Sequence, residues 1–579
     1  MKRLVSFTFL GALCASTAAA QNLPPELLNY ADTVFYNGKV TTADAKFTIV
    51  KAVAVRGGKV LKTGEDAAIL ALAGPNTRKI DLQGKVLIPG IIDTHTHLHE
   101  YALDNFAKEI NPKLAEVFLV GRSKEDLLEQ IKEKAANAPP GEWLRFRLKP
   151  RAVADEFFFN FTRADVDKVV SKNPTMVHVT DTRAMANSNA LEFLLKQYDA
   201  KTVKLPVDDK GEITGRLGEG ISLIFYEEII PKPKPEDLAA VYIKELDRWA
   251  KGGVTTWSSS LGSEAITAFH YMDQKGTMPI RLAYTNEAMF RDNLYAASSI
   301  NRFGDLVGHG TDYFWLIGIS SGSTDASYPG ICSSLPGNSP EVKKREDCRL
   351  SWEGVRGKSL YEAVKAGLRV AGTHSAGDKA TDVMMDIIEK ASADAGFTVD
   401  QIKAKRHVID HCTMNPTQAQ IARSIKLGMM WSCAPKYLVN SGARVNRDYG
   451  EVAAHTLVVP VKTILDMGGR AVFEQDHTGG ADPFIDISTL ITRKDRDGRI
   501  WGHKNAVDRQ TALLMATRWA AEYVLRENTL GSLEPGKWAD LVVLNKDYFT
   551  VPDDEISTIR GVLTMVGGKV VYDGLSSPK

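Results

Sequence analysis

The chain has 579 residues, 44% hydrophobic and 25% charged, a globular composition with material for one large core and additions to it. Its 72 lysines and arginines stand against 71 acidic residues, a formal net charge of +1. That balance supplies no field for nucleic acid or an anionic membrane, so the expected partner is a small molecule.

The N-terminus reads as a leader. Met1-Lys2-Arg3 is basic, Leu4 to Ala15 is apolar but too short for a stable span, and Thr17-Ala-Ala-Ala20 offers small residues for cleavage. Residues 1–20 are therefore expected to be a signal peptide, leaving a periplasmic or secreted chain with no membrane segment. Cys14 follows Leu13, where a lipidation signal wants a small residue, so no lipid anchor is expected. Losing Lys2 and Arg3 takes the formal charge from +1 to −1.

Residues 33–88 alternate short apolar strands with turns, and residues 529–579 do the same. Neither piece is long enough for a sandwich of its own. Residues 21–88 and 529–579 are expected to join as one small β-sandwich built from both termini.

Between them, eight apolar runs alternate with helical patterns. They are the run ending at His95, Val254 to Trp257, Ile280 to Tyr284, Phe314 to Ile319, Leu368 to His374, Arg406 to His411, Met429 to Cys433, and Ala471 to Asp476. Eight parallel strands with intervening helices predict an α/β fold, a (β/α)8 TIM-type barrel over 89–528. The first two strands lie about 150 residues apart, far beyond a βα connection, so about 112–240 should be an inserted subdomain or lid.

The stretch Val86-Leu-Ile-Pro-Gly-Ile-Ile-Asp-Thr-His-Thr-His97 is the most informative. Residues two apart in a strand project to one side, so His95 and His97 offer paired imidazoles, a start for a divalent-metal site. His374 closes the fifth predicted strand, His411 the sixth and Asp476 the eighth. In a barrel these ends share one mouth, where active sites sit. Five metal-competent side chains would meet there.

Asp93-x-His-x-His97, His374-Ser-Ala-Gly-Asp378, Ile409-Asp-His411, Asp476 and the tail Gly531-Ser-Leu-Glu-Pro-Gly-Lys-Trp-Ala-Asp540 together resemble the amidohydrolase superfamily. More narrowly, they are similar to its YtcJ-like, N-substituted formamide deformylase branch, as is Gly211-Glu-Ile-Thr-Gly215 within the insertion. The resemblance spans about residues 30–575. It implies a metal-bearing barrel beside a β-sandwich, hydrolysing an amide, formamide or carbamate-like C–N bond. It assigns the metal site to His95, His97, His374, His411 and Asp476. Asp476 and His411 become the catalytic candidates, the first as proton acceptor for a metal-activated water, the second as a polariser of the substrate carbonyl.

The family's strand-four lysine is missing, since that strand reads Leu316-Ile-Gly-Ile-Ser-Ser-Gly322. One ion, held by His95, His97, His374 and Asp476, is favoured over two. Zinc is expected, although iron and manganese accept the same donors. The alternative keeps the centre but changes the chemistry, to a metal-dependent decarboxylase or C–C lyase. A binding protein on a relict barrel would have lost ligand side chains, and all five are present.

Lys436, His477 and His99 are the remaining candidates, as substrate contacts at the rim. His407 and His178 read as core histidines, and Asp378 as a helix cap. Cys332 and Cys348 flank a Pro/Gly/Ser-rich stretch and could staple it in an oxidising compartment, whereas Cys412 and Cys433 lie in apolar runs and read as buried free thiols. A homodimer, common in similar proteins, is left open.

Overall fold

The computed structural model describes residues 29–575, except 116, 181–182, 201–202, 204, 288–305 and 477–480. The expected leader and His477 lie outside the described residues.

The apolar run before His95 is not one strand. Pro89-Gly90 divides it, so that Val86–Pro89 pairs with Lys39–Thr41 and Leu541–Leu544 while Ile91–Asp93 pairs in parallel with Val254–Leu261. A side chain at Gly90 would lie 2.1 Å from Thr255 Oγ1, so the crossing at this point requires glycine.

The first half of that run belongs to sheets built from both chain ends. Ala31–Tyr36, Ala52–Arg56, Lys59–Gly64 and Ala73–Asp81 make a four-stranded sheet; a six-stranded sheet interleaves Val86–Pro89 with Leu541–Leu544, Gly561–Val566 and Lys569–Asp573. Phe35, Val53, Leu87, Leu541 and Leu563 share a buried cluster.

The second half leads to the site. Ile91–Asp93, Val254–Leu261, Arg281–Asn286 and Phe314–Ile319 form a parallel sheet, and Val408–His411, Met430–Cys433 and Arg470–Phe473 form another. Every residue of Val254–Leu261 is buried, as in a parallel strand covered on both faces. The fifth predicted strand is not a regular strand. Leu368 to His374 joins no continuous ladder among the described residues, and its strand-like pairing is confined to the isolated bridges Ile319↔Val370, Ser323↔His374 and His374↔Asp410. Gly372 interrupts it with a left-handed φ of 70°, where a side chain would sit 2.5 Å from Thr285 Oγ1. At the opposite edge, the Thr94 N–H donates to the Phe473 carbonyl at 3.1 Å and the Asp476 N–H to the His95 carbonyl at 3.0 Å. Ile92, Ala283, Ile317, Ala371, Val408, Met430 and Val472, from seven of the eight segments, pack into one buried cluster.

The connecting helices stop where their ends dictate. Helix Pro235–Gly252 opens on proline with Glu236 and Asp237 in its first turn and closes on left-handed Gly253, directly before Val254. Helix Gln418–Leu427 has a Thr417/Gln420 capping box and closes on left-handed Gly428, two residues before Met430–Cys433. Between Ile91–Asp93 and Val254–Leu261, a separate five-stranded sheet runs from Arg216–Leu217 through Arg183–Ala186, Thr175–Thr180 and Leu144–Lys149 to Val117–Val120. Phe157 and Phe161 are stacked in its core at 4.9 Å, a packing role for that aromatic run.

Both cysteine pairs are disulfides, Cys332–Cys348 and Cys412–Cys433. The second corrects the expectation of free thiols. Parallel pairing sets His411 opposite Cys433, which brings the Cys412 and Cys433 Cα atoms to 4.9 Å; the register that does so is tertiary information.

Arg281 and Asp540 join the two regions. Arg281 Nε and Nη2 donate to the two Asp540 oxygens at 2.8 and 3.0 Å, and both side chains are buried. Arg281→Met leaves a buried carboxylate with only the Gly567 N–H, and is expected to lower unfolding free energy by about 3–5 kcal/mol in urea titrations.

Candidate metal centre

Three of the five expected ligands stand together. Ligand atoms of His95, His97 and Asp476 all lie within 4.8 Å of one another. His95 and His97 lie just beyond the end of Ile91–Asp93, so a turn rather than strand alternation sets their geometry. Asp93 shapes that turn, accepting from Thr96 Oγ1 and from the His95 and Gln475 N–H groups. His95 Nε2 is 3.3 Å from His97 Nε2, and His97 Nε2 is 3.9 Å from Asp476 Oδ1.

His411 adjoins this trio. Its ring centre is 5.0 Å from that of His95 and its Nδ1 3.8 Å from Asp476 Oδ2. His374 stands beyond it, 4.5 Å away between ring centres, with Nε2 3.8 Å from Asp325 Oδ1. That nitrogen is buried and has no hydrogen-bond partner.

Two buried carboxylates escaped the sequence reading. Asp410 Oδ2 is 3.2 Å from His95 Nδ1, and Glu474 Oε1 is 2.6 Å from His411 Nδ1, while Ser432 Oγ donates to Glu474 Oε2. Glu474 at His411 Nδ1 is placed to fix that ring's tautomer and leave Nε2 as the donor atom, the arrangement that supports metal-bound histidines, whereas Asp410 faces His95 Nδ1 as an ion-pair partner without a formed hydrogen bond. The available signal was spacing: Asp410 sits beside His411, and Glu474 precedes Asp476 by two residues.

Asp476 is the most constrained group. Its φ is 45°, and its N–H donates to the His95 carbonyl and Thr96 Oγ1, each at 3.0 Å. Lys436 Nζ lies 2.6 Å from Oδ2 and also donates to the Asp476 carbonyl, and Tyr437 OH donates to Oδ2 at 2.9 Å. Burial pushes this carboxyl up, but the Lys436 ammonium and the surrounding imidazoles overcome it and hold the group well below the usual carboxylate range. Lys436, expected as a rim contact for substrate, is thus turned onto Asp476. His99 is mostly buried, its ring 6.2 Å from that of His97, and burial lowers it to about 3.

Burial likewise lowers His374 to about 3 and takes His411 well below its ordinary value, with neighbouring His374 reinforcing the effect. Both are neutral near pH 7, the form that ligates metal. Glu474 is pushed well above its usual range by burial and then by Asp410 and Asp476. Burial lowers His95, but Asp410 and then Asp476 overcome it and hold that ring above its ordinary value. Neutral His374 and His411, the charged Asp476 carboxylate and the unpartnered His374 nitrogen offer donors that fit a divalent cation. Glu474→Gln is expected to weaken zinc binding by about 10–100-fold, measured by competition with a chromophoric chelator.

His407 and Asp378 make structural contacts. His407 Nδ1 accepts the Val370 N–H at 3.0 Å. Asp378 does not cap its helix; it accepts from Ser333 Oγ and the Ser334 N–H, anchoring the loop stapled by Cys332–Cys348.

A model described as Amidohydrolase family matches residues 78–572, and the chain belongs to that family. It is accordingly an amidohydrolase, a metal-dependent hydrolase of carbon–nitrogen bonds. It is 25% identical to the N-substituted formamide deformylase of Arthrobacter pascens, covering 94% of this chain and 99% of the relative. It is 23% identical to the YtcJ protein of Bacillus subtilis, covering 93% and 99% respectively. Among solved structures, an uncharacterized metal-dependent hydrolase from Pyrococcus horikoshii aligns with a TM-score of 0.64 at 21% identity, over 90% of this chain and 99% of that one. At that identity the likeness shows the shared fold.

Proposed function

We propose that this chain is an exported, single-zinc amidohydrolase that cleaves an amide, formamide or carbamate-like bond of a small molecule. The observation that carries the reading is the pairing of His95 with Asp410 and of His411 with Glu474, around the cluster completed by His97 and Asp476. His95, His97 and Asp476 would hold the ion, with His411 and His374 alongside. When bound, such an ion polarises a carbonyl and lowers the pKa of water toward about 7.

The protein's own groups then handle the proton. The Asp476 carboxylate, its Oδ2 held by Lys436 and Tyr437 and its Oδ1 turned toward His97, can accept a proton and deliver it to the leaving nitrogen. Lys436 keeps this carboxylate ionised before it acts, and the Tyr437 hydroxyl fixes which lone pair is free. His411 Nε2, with Nδ1 held by Glu474, is available to a substrate carbonyl oxygen.

The seven segments sharing the buried cluster, bridged at both edges, support a closed (β/α)8 barrel over 89–528 with an insertion at about 112–240. The two terminal sheets and their common core support a sandwich of 21–88 and 529–579. The absence of a lysine from Leu316 to Gly322, on and just after the fourth segment, supports one ion instead of two. Two disulfides support an oxidising compartment. The formamide named for the Arthrobacter relative supports the bond class.

Turnover of an amide, formamide and carbamate panel in ¹⁸O-labelled water tests the reading. Label in the carboxyl, formyl or carbonate product is expected. With the amide and formamide substrates, release of carbon dioxide and no label in a carboxylate or formate product overturns hydrolysis in favour of decarboxylation.

A further inference from the structure

The backbone at the sixth segment's end is unusual. His411 and Cys412 both have positive φ, 91° and 54°, a conformation that costs non-glycine residues energy and persists only where surroundings impose it. Neither position carries a glycine or asparagine to relieve it. Several contacts impose it together. The His411 carbonyl accepts the Ala434 N–H at 3.2 Å, the Cys412 carbonyl accepts the Val459 N–H at 2.9 Å, and Cys412 is bonded to Cys433 on the neighbouring strand.

This turn aims the His411 ring. The preceding strand, Val408–His411, runs in register with Met430–Cys433. Without the reversal at 411 and 412 the chain would continue along the sheet. With it, His411 faces Glu474 and Asp476, and its ring sits between those of His95 and His374. The covalent bond is the one restraint on this turn that thermal opening cannot break, and it lies one residue from the imidazole. It also ties that imidazole to the segment carrying Lys436, three residues beyond Cys433.

We propose that the Cys412–Cys433 disulfide is a positioning element of the metal centre, holding His411 in its strained backbone conformation so that the centre is assembled before an ion arrives. This rests on the metal-binding reading above. The bond is fully buried, so its role is geometric and needs no access for solvent or a reductant. Cys332–Cys348 closes a loop beside the fifth segment; the Cys332 N–H donates to Asp325, 3.8 Å from His374, so this bond reaches the outermost candidate ligand but touches neither His411 nor its strand, and provides an internal comparison for the His411 turn.

The test is zinc affinity of the metal-stripped full chain, measured by chelator competition. The probes are wild type, Cys412→Ala/Cys433→Ala, the volume-refilling Cys412→Ala/Cys433→Val, and Cys332→Ser/Cys348→Ser. Supports that orient metal ligands are worth about 10–100-fold in affinity, and a rise of that size in the zinc dissociation constant is expected for both 412/433 pairs, with the 332/348 pair unchanged. Circular dichroism establishes that each variant is folded. Unchanged affinity in a folded 412/433 variant, an equal loss in the 332/348 pair, or failure of both 412/433 variants to fold overturns the proposal in favour of a purely structural bond. Free thiols at 412 and 433 in zinc-loaded wild type also overturn it. Failure of wild type to bind zinc instead overturns the metal-binding reading, which keeps the two failures distinct.

Discussion

Asp476→Asn is expected to lower kcat/KM by about 10³–10⁴-fold, at the upper end of what positioned proton transfer contributes, while the protein stays folded. Asparagine tolerates left-handed backbone better than most residues, so the φ of 45° survives, and the backbone bonds to the His95 carbonyl and Thr96 Oγ1 do not depend on the side chain. The charge is lost, and with it proton acceptance by the carboxylate and the partner of Lys436. Steady-state kinetics on a substrate turned over by wild type measure the effect, with circular dichroism as the control for folding. A loss below tenfold would remove Asp476 from the chemistry.

Metal removal is expected to be as severe. Prolonged dialysis against a chelator should take turnover to background, and stoichiometric zinc should restore it, with about one ion per chain by elemental analysis. His95→Ala should bind little metal and regain no activity, because it removes one donor and leaves Asp410 buried without its imidazole. Stability reports the same event independently. An ion that binds only the folded chain stabilises it by about 2.7 kcal/mol at a hundredfold excess over its Kd. Adding zinc to stripped wild type should therefore raise the melting temperature, and adding it to His95→Ala should not. Full activity in protein shown to be metal-free would overturn the whole reading.

Much of the site was legible from residue types at segment ends. His95, His97, His411 and Asp476 stand where alternation of apolar runs and helices put them, because strand ends in parallel α/β folds share one face. The geometry inside that face was less legible. His95 and His97 reach each other through a turn shaped by Asp93, not through strand alternation. His374 is displaced from the trio, on a segment that left-handed Gly372 keeps from being a strand. Asp410 and Glu474 were hidden because a buried carboxylate is recognisable only once its partner is known.

Local chemistry along the chain determines the alternating elements, the break available at Pro89-Gly90, the helix caps and the presence of metal-competent side chains. Each of these depends on neighbours a few residues away. Tertiary packing decided what those groups face: which carboxylate stands by which imidazole, that Lys436 closes on Asp476, and that Cys412 meets Cys433. Those pairings depend on inter-strand register between residues 21 to 379 positions apart, and register is set by the packing of whole faces, which no local pattern encodes.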